Sequence, residues 1–392
     1  MDRWTELVHF NRCPEDPFGP NSTPIYQTAT FAQPSADGFG SYDYSRSGNP
    51  TRSVLQERLA KLEGTDHAFA FTSGMAAISA VTRLLSAGDH LLAGSDLYGG
   101  TYRLLSKVLT RQGISVTHVD TTDLAAVRGA FTDRTRLVWT ESPTNPLQRI
   151  TDLSALADLS HAHGAKLAVD NTLVSPWLQR PTEHGVDLVV HSATKHLAGH
   201  SDVMAGVVCT SDSELADAIG FTQNAEGAAL SPFDSWLVLR GLQTLPLRIE
   251  RQQSTAQEIA RFLDRHPDVT RVHYPGLSDH PGHTLHRRQA RGSGALISFE
   301  TGDRTLSQRI VEATSLFTVS VSFGCLHSLI SLPCCMSHAS IPDGERTLPS
   351  DLVRISIGIE DPGDLIGDLE HALRRANRRK QDDSPYRRNV LH

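Results

Sequence analysis

The chain has 392 residues and a formal net charge of −7, with a pI near 6.2. Its hydrophobic content of 39% and charged content of 21% are ordinary for a soluble globular protein, and the acidic balance argues against a nucleic-acid partner. No apolar run approaches the length that crosses a bilayer, so we expect no membrane partner. A chain of this length predicts two domains, each with its own core.

The N-terminus and the cysteines favour a cytoplasmic protein. The N-terminus has no apolar core, so we expect neither a signal peptide nor a transit peptide; it carries the acidic residues Asp2, Glu6, Glu15 and Asp16. The five cysteines are an odd number without metal-ligand spacing. They predict reduced thiols and no metal site.

The first 48 residues predict an N-terminal arm, since residues 38–50 lack the periodicity of a helix or a strand. Residues 21–34 are polar and rich in Ser, Thr and Pro. The aromatic residues Phe39, Tyr42 and Tyr44 make disorder the weaker interpretation. We expect this arm to lie on another subunit, with a loosely held terminus as the alternative.

Strand-like and helix-like segments alternate between about residues 50 and 210. A first helix is expected to stop at Gly64, and a second is expected over residues 75–85. Strands are predicted over residues 68–71, 90–93, 115–119, 137–139, 167–169 and 188–190. This alternation predicts an α/β fold in which helices cover both faces of a mostly parallel sheet.

The pattern changes after Pro246. A long helix leads into predicted strands over residues 269–273, 295–299 and 352–359, which belong to a smaller α/β unit. A last helix is expected from residue 362 to about 375, followed by a solvated charged tail over residues 378–388. The chain is therefore divided into an arm (1–48), a larger sheet domain (49–245) and a C-terminal domain (246–392).

A lysine and an aspartate follow two of the predicted strands. Lys195 comes shortly after residues 188–190, and Asp170 directly after residues 167–169. Ligands of open parallel sheets bind beyond the carboxyl ends of the strands. A lysine there can form a Schiff base with a carbonyl cofactor, although most lysines simply lie on the surface. Asp170 favours the cofactor, because pyridoxal phosphate needs a carboxylate that keeps its ring nitrogen protonated.

Further motifs at strand ends are each ambiguous alone. Gly74 lies in a Thr-Ser-Gly-Met turn that favours a phosphate at a helix start, and many other turns contain Ser-Gly. Tyr98 is placed to stack on a planar ring or to lie at a loop edge. Asn145 lies between two prolines that fix its loop. Arg354, in a strand-like run, predicts either a clamp on a substrate carboxylate or a structural ion pair.

Taken in order, these motifs resemble the Cys/Met metabolism family of fold-type-I pyridoxal-phosphate enzymes. That family includes cystathionine γ-synthase, cystathionine β- and γ-lyases, methionine γ-lyase and homoserine-ester sulfhydrylases. The resemblance runs from residues 23–28 (TPIYQT) to residues 359–361 (IED), nearly the whole chain. It implies a fold-type-I architecture with a smaller C-terminal domain and pyridoxal 5'-phosphate as cofactor.

The resemblance also implies roles for single residues. Lys195 would carry the cofactor and move protons, and Asp170 would pair with the pyridine nitrogen. Tyr98 would stack on the ring and help deprotonate the incoming amine. The phosphate would be held by Gly74, Met75, Ser192 and Thr194.

The remaining roles concern the substrate and the assembly. Asn145, Ser322 and Arg354 would face the substrate carboxylate. Tyr44 and Arg46, in the arm, would reach the phosphate of the neighbouring subunit. The resemblance therefore implies a homo-oligomer, with dimers that pair into tetramers, acting on a small sulfur amino acid.

Two segments bear on the reaction type. Residues 321–333 depart from the common family spelling at Phe323 and His327, and with residues 336–342 (MSHASIP) they are most similar to plant-type cystathionine β-lyases. His327 is interpreted as a surface histidine. Several γ-acting relatives carry an acidic residue where this chain has Val321.

We therefore expect β-elimination of cystathionine to homocysteine, pyruvate and ammonia. A cystathionine or methionine γ-lyase, or a γ-replacement enzyme, is the alternative within the family. A catalytically silent binding protein is the alternative outside it, and it has no need of Lys195, Asp170, Tyr98 and Arg354 together.

Overall fold

The computed structural model describes residues 2–9, 16, 18–336 and 348–382, with side chains described up to residue 378. Residues 337–342, which contributed to the sequence comparison above, lie outside this set. Within the described ranges, no helix combines the length and apolar composition needed to cross a membrane.

The larger sheet has seven strands in the order β1-β7-β6-β5-β4-β2-β3. All described neighbours pair in parallel except β7, which is antiparallel to both β1 and β6. The strands are β1 (His67–Phe71), β2 (His90–Gly94), β3 (Ser115–Val119), β4 (Thr135–Glu141), β5 (Lys166–Asp170), β6 (Leu188–Ser192) and β7 (Gly206–Thr210). The predicted strands are confirmed, and β7 is an additional strand that was not predicted individually.

Helices cover both faces of this sheet, as the prediction of a mostly parallel α/β fold requires. Consecutive strand residues therefore enter different cores: Leu167 and Val169 pack on one side, and Ala168 packs on the other. Burial on both faces explains why these strands are apolar runs without alternation. The helices of this region are α2 (Pro50–Glu63), α3 (Gly74–Thr82), α4 (Gly99–Arg103), α5 (Leu124–Ala130), α6 (Leu153–Ala162), α7 (Ser175–Leu178), α8 (Ser213–Glu226) and α9 (Pro232–Leu242).

The ends of α2 follow the expected chemistry. The Asn49 side chain accepts hydrogen bonds from the amides of Thr51 and Arg52 and caps the N-terminus. Gly64 ends the helix at φ 80°, a left-handed conformation that glycine adopts without steric cost.

A second sheet, in the order β10-β11-β12-β9-β8, forms the smaller unit. Its core contains Ile259, Phe299, Ile355 and Leu369. Its elements are α10 (Leu245–Asp264), β8 (Arg271–His273), α11 (His283–Gln289), β9 (Leu296–Glu300), α12 (Arg304–Ala313), β10 (Thr318–Val319), β11 (Leu329–Ser331), β12 (Val353–Ser356) and α13 (Pro362–Asp382). The boundary between residues 245 and 246 stays a prediction, since α10 runs through it without interruption.

Helix α13 corrects the prediction for the C-terminus. It continues to Asp382, so residues 378–382 of the predicted charged tail belong to the helix, and residues 383–388 lie outside the described part of the chain. Leu365, Leu369, Leu373 and Ala376 are buried along one face, and this apolar stripe keeps the chain helical past residue 375.

The N-terminal arm also differs in part from the prediction. Residues Arg3–Val8 form helix α1, which packs on its own chain: Trp4 lies edge-on to Trp177 at 5.3 Å, and Arg3 Nη2 donates to the Pro176 carbonyl at 2.6 Å. This part of the arm therefore packs on its own chain. A helix this short has too few residues for a visible period. Residues 18–48 contain no helix, and Thr30 and Tyr44 form an isolated bridge.

Candidate active site

A cavity of about 420 Å³ lies at the carboxyl ends of β4, β5 and β6, where loops of the smaller unit approach the larger sheet. It brings together ten predicted residues from seven separate parts of the chain: Gly74, Met75, Tyr98, Asn145, Asp170, Ser192, Thr194, Lys195, Ser322 and Arg354. A larger cleft, of about 950 Å³ between α10 and α11, contains none of these residues. The chemistry therefore belongs to the smaller cavity.

Lys195 lies in the turn after β6, held by a hydrogen bond from its amide to the Ser192 carbonyl at 3.1 Å. Its Nζ donates to Ser322 Oγ at 2.5 Å. Burial, followed by the nearby charge of Arg354, lowers the pKa of Lys195 to about 8. A larger fraction of this amine is neutral near pH 7 than for an ordinary lysine, and the neutral form is the one that attacks a carbonyl.

Ser322, the partner of Lys195, has an unusual backbone. Its φ of 89° lies in the left-handed region that residues other than glycine rarely adopt. Strained conformations of this kind cluster at functional sites, where the surrounding structure imposes them. In this chain the residue with the strained backbone, Ser322, is the one whose Oγ lies beside Lys195.

Asp170 is the last residue of β5, and its carboxyl group is buried beside the cavity. Its Oδ1 accepts hydrogen bonds from the Thr172 amide at 2.9 Å and from Thr172 Oγ1 at 2.5 Å. The amide of Ser192 in turn donates to Thr172 Oγ1 at 2.8 Å, which ties β6 to this carboxylate. Burial raises the pKa of Asp170, so its charged form needs a positive partner in the cavity.

The start of α3 provides an anion site. The Ser73 side chain caps the helix by accepting from the Ala76 amide at 3.1 Å, whereas the amides of Gly74 and Met75 have no acceptor within the helix. A Cβ on Gly74 would lie 2.9 Å from Ser192 Cβ. Only glycine lets α3 approach β6 this closely, so the amides and the hydroxyls of Ser192 and Thr194 surround one place suited to a phosphate.

These features fit pyridoxal phosphate at three separate points. The amine has a lowered pKa, the buried carboxylate forms no ion pair within the described part of the chain, and the helix N-terminus offers phosphate donors. The cofactor would extend from Asp170, at its ring nitrogen, to Gly74 and Met75, at its phosphate, with Lys195 between them.

Tyr98 follows β2 and lines the cavity with its ring 40% exposed. The Tyr98 amide donates to Glu141 Oε1 at 2.8 Å, and this hydrogen bond fixes the backbone of Tyr98. An exposed aromatic face on a fixed backbone can stack on a planar ring.

Arg354 lies on β12 and reaches the cavity from the smaller unit. Its Nη1 donates to Asn145 Oδ1 at 3.1 Å, and its Nη2 donates to the Ser322 carbonyl at 3.0 Å. Burial lowers the pKa of Arg354 to about 10, and the group remains charged at neutral pH. A buried guanidinium with two fixed bonds is well placed to hold a carboxylate.

Tyr44 and Arg46 are not among the residues that line the cavity of their own chain. Arg46 Nε donates to Asn224 Oδ1 at 3.1 Å, and its guanidinium lies 5.4 Å from the Tyr44 ring. Tyr44 is 42% exposed. Their contact with the phosphate of a neighbouring subunit stays a prediction.

Sequence reasoning missed three features of the cavity. Glu141 and Phe323 line it, and the Phe323 ring lies 5.4 Å from Lys195 Nζ and 5.9 Å from Arg354 Cζ. Met204, Val321 and Met336 form an apolar part of the wall. Glu141 carried the same signal as Asp170, a carboxylate at the end of an apolar strand. His327 is exposed and is not part of the lining.

Comparison with known proteins gives a consistent result. A family model described as Cys/Met metabolism PLP-dependent enzyme matches residues 4–374. The chloroplastic cystathionine beta-lyase of Arabidopsis thaliana is 56% identical over 362 residues, 92% of this chain and 78% of that protein. The cystathionine beta-lyase of Bacillus subtilis (strain 168) is 47% identical over 373 residues, 94% of this chain and 96% of that protein.

A solved structure of cystathionine gamma-lyase from Lactobacillus plantarum, complexed with L-serine, superimposes with a TM-score of 0.94 at 43% identity. The match covers 96% of this chain and 100% of that one. The predicted fold class and cofactor are thereby confirmed. The chain belongs to the Cys/Met metabolism family of PLP-dependent enzymes.

Proposed function

We propose that this protein is a carbon–sulfur lyase that catalyses β-elimination of cystathionine, giving homocysteine, pyruvate and ammonia. The observation that carries the proposal is the placement of Lys195 Nζ, 2.5 Å from Ser322 Oγ, in a cavity bounded by Asp170 and Arg354. The resemblance to plant and bacterial cystathionine beta-lyases supports this substrate. The reaction belongs to sulfur amino-acid metabolism, the biosynthesis of methionine and the use of cysteine.

Pyridoxal phosphate, when bound, supplies an electron sink that acidifies the Cα proton of an amino acid. Asp170 would accept the hydrogen bond of the protonated ring nitrogen, and the amides of Gly74 and Met75 would hold the phosphate. Ser192 and Thr194 would add hydroxyl donors at the same end. These contacts would fix the ring relative to the sheet and keep Lys195 within reach of the reacting carbon.

The substrate is oriented from the other side. Arg354 holds its carboxylate, with Asn145 and the Ser322 carbonyl fixing the guanidinium. The amine of Lys195 would remove the Cα proton, and its lowered pKa suits a base that works near neutral pH. Tyr98 would stack on the cofactor ring and help deprotonate the incoming amine.

The wall near the expected leaving group is apolar. Val321 is 51% exposed and Met204 69% exposed, and both line the cavity with Met336. A γ-elimination needs a second proton abstraction, at Cβ, whereas a β-leaving thiolate departs once the Cα proton is removed. The neutral Val321 beside Ser322 removes one polar contact for the distal amino-carboxyl end of the substrate, and this difference from γ-acting relatives supports β-elimination.

Assembly and location belong to the same proposal. We infer a homo-oligomer, a dimer of dimers, because Tyr44 and Arg46 lie outside their own cavity on a segment without helices. We also infer a cytoplasmic protein, because its cysteines are an odd number without metal-ligand spacing.

The products of cystathionine cleavage test the function directly. Purified protein loaded with pyridoxal phosphate is incubated with cystathionine, and pyruvate and 2-oxobutyrate are quantified separately, with the Lys195→Ala variant as the blank. Predominant pyruvate with homocysteine supports β-elimination. Predominant 2-oxobutyrate with cysteine would replace it with the γ-lyase alternative, which the similarity to a cystathionine gamma-lyase structure keeps relevant.

A further inference from the structure

Glu141 is a second buried carboxyl group at the edge of the sheet that carries Asp170. It ends β4 as Asp170 ends β5, and the two residues are register partners in the parallel pairing of these strands. Register partners point to the same face, and neighbouring strands lie about 4.8 Å apart. Glu141 is 5% exposed and lines the same cavity.

Glu141 connects the sheet to Tyr98. Its Oε1 accepts the Tyr98 amide at 2.8 Å, and Tyr98 begins the loop that leads into α4. Oε2 has no hydrogen-bond partner within the described part of the chain. The side chain therefore holds the backbone of the stacking residue with one oxygen, and its register places Glu141 beside Asp170 at the cavity.

The charges around Glu141 favour its neutral form. Burial, followed by the negative charge of Asp170, raises the pKa of Glu141 well above its ordinary value. The buried Asp96 adds to this effect, and the Tyr98 amide offsets only part of it. Asp170 differs, because two hydrogen bonds from Thr172 and the nearby His191 favour its charged form. The protonated ring nitrogen carries one positive charge and can therefore balance only one carboxylate. Of Glu141 and Asp170, Asp170 is the residue whose charged form is better stabilised by its neighbours.

We propose that Glu141, as a neutral carboxylic acid, is a positioning residue that holds Tyr98 over the cofactor ring and leaves Asp170 as the sole carboxylate facing the ring nitrogen. This inference rests on the binding of pyridoxal phosphate by the chain, and it is independent of whether the leaving group is on Cβ or Cγ. Glutamine at position 141 mimics the neutral carboxylic acid, because it is uncharged and its Oε1 can still accept the hydrogen bond from the Tyr98 amide.

The test compares Glu141→Gln with Glu141→Ala in the full-length protein. Three readouts do not depend on turnover: the dissociation constant of pyridoxal phosphate, the visible circular dichroism of the bound cofactor, and the pH titration of its absorption band. Kcat and KM for cystathionine are measured alongside. Glu300→Gln is the matched control, since Glu300 also ends a strand, β9, but does not line the cavity.

Glu141→Gln is expected to remain within about threefold of wild type in all these quantities. Glu141→Ala leaves the Tyr98 amide without its acceptor and is expected to weaken cofactor binding about 5- to 100-fold. Its cofactor dichroism should fall, because the ring of Tyr98 is no longer held in one orientation. Glu300→Gln should leave the cofactor dichroism unchanged.

Two results would overturn the inference. A Gln variant as impaired as the Ala variant would mean that Glu141 acts as a charged group. An Ala variant with unaltered cofactor binding and dichroism would mean that it positions nothing. Should Glu141→Ala fail to fold, the Gln variant alone still decides whether the negative charge is needed. A wild-type protein that binds no pyridoxal phosphate would instead refute the proposed function.

Discussion

Replacement of Arg354 by lysine separates substrate binding from the rest of the site. The guanidinium uses two of its N–H groups on Asn145 Oδ1 and the Ser322 carbonyl, at 3.1 and 3.0 Å. The other donors are left for the substrate carboxylate. Lysine keeps the positive charge but replaces the planar fork with a single ammonium group. The variant therefore loses about one charge-assisted hydrogen bond to the substrate, worth about 1.5–3 kcal/mol.

A loss of that size corresponds to an increase in KM of about 10- to 150-fold for cystathionine. Kcat is expected to fall less, because Lys195 and Asp170 keep their own partners. Arg354→Ala is expected to lower both parameters, since it also leaves Asn145 Oδ1 and the Ser322 carbonyl unpaired and loosens Ser322 beside Lys195.

The assay measures pyruvate release over a range of cystathionine concentrations, with the cofactor absorption band as a check on loading. Arg251→Lys, on the exposed face of α10, is the matched control and should be neutral. A KM within twofold of wild type in a fully loaded Arg354→Lys variant would refute the assignment of Arg354 as the carboxylate clamp.

Three further predictions concern Lys195 and the arm. Lys195→Ala should abolish turnover without changing far-UV circular dichroism, and substantial remaining activity would disprove the role of this lysine. In the cofactor-free protein, imine formation with added pyridoxal phosphate should rise with pH around a midpoint of about 8, because the neutral amine appears as the pH passes through its pKa. A midpoint near the ordinary lysine value of about 10.4 would contradict the burial of Nζ. If Arg46→Ala is impaired, mixing it with Lys195→Ala should restore activity, since one hybrid site then has both intact residues; no recovery despite measured subunit exchange would argue against a shared site.

The local sequence pattern was sufficient to predict those site residues that lie just after regular strands. Lys195 and Asp170 follow apolar runs, and the parallel sheet brings such ends to one edge. Gly74 was recognisable for the same reason, since it lies between a strand and a helix. These residues are close in space because the sheet is mostly parallel, and the alternation of strands and helices in the sequence already implies such a sheet.

Contacts between distant segments were not predictable in the same way. Arg354 and Asn145 lie 209 residues apart in sequence, and nothing in either segment indicates that one side chain receives the hydrogen bond of the other. The left-handed backbone of Ser322 is imposed by its surroundings, since serine has no local preference for it. Helix α13 passes residue 375 because of the core that it covers, not because of its charged composition.

The sequence by itself determined the order of strands and helices, the family, and the chemical identity of the lysine, the aspartate and the phosphate turn. These depend on periodicity and on residue types within a few positions of one another. Only the tertiary structure showed that Glu141 and Asp170 lie side by side in the sheet, because their pairing and the burial that raises both pKa values depend on other parts of the chain. It also decided that α1 packs on its own chain and that Tyr44 and Arg46 lie outside their own cavity, since both outcomes depend on surfaces that form only when the whole chain has folded.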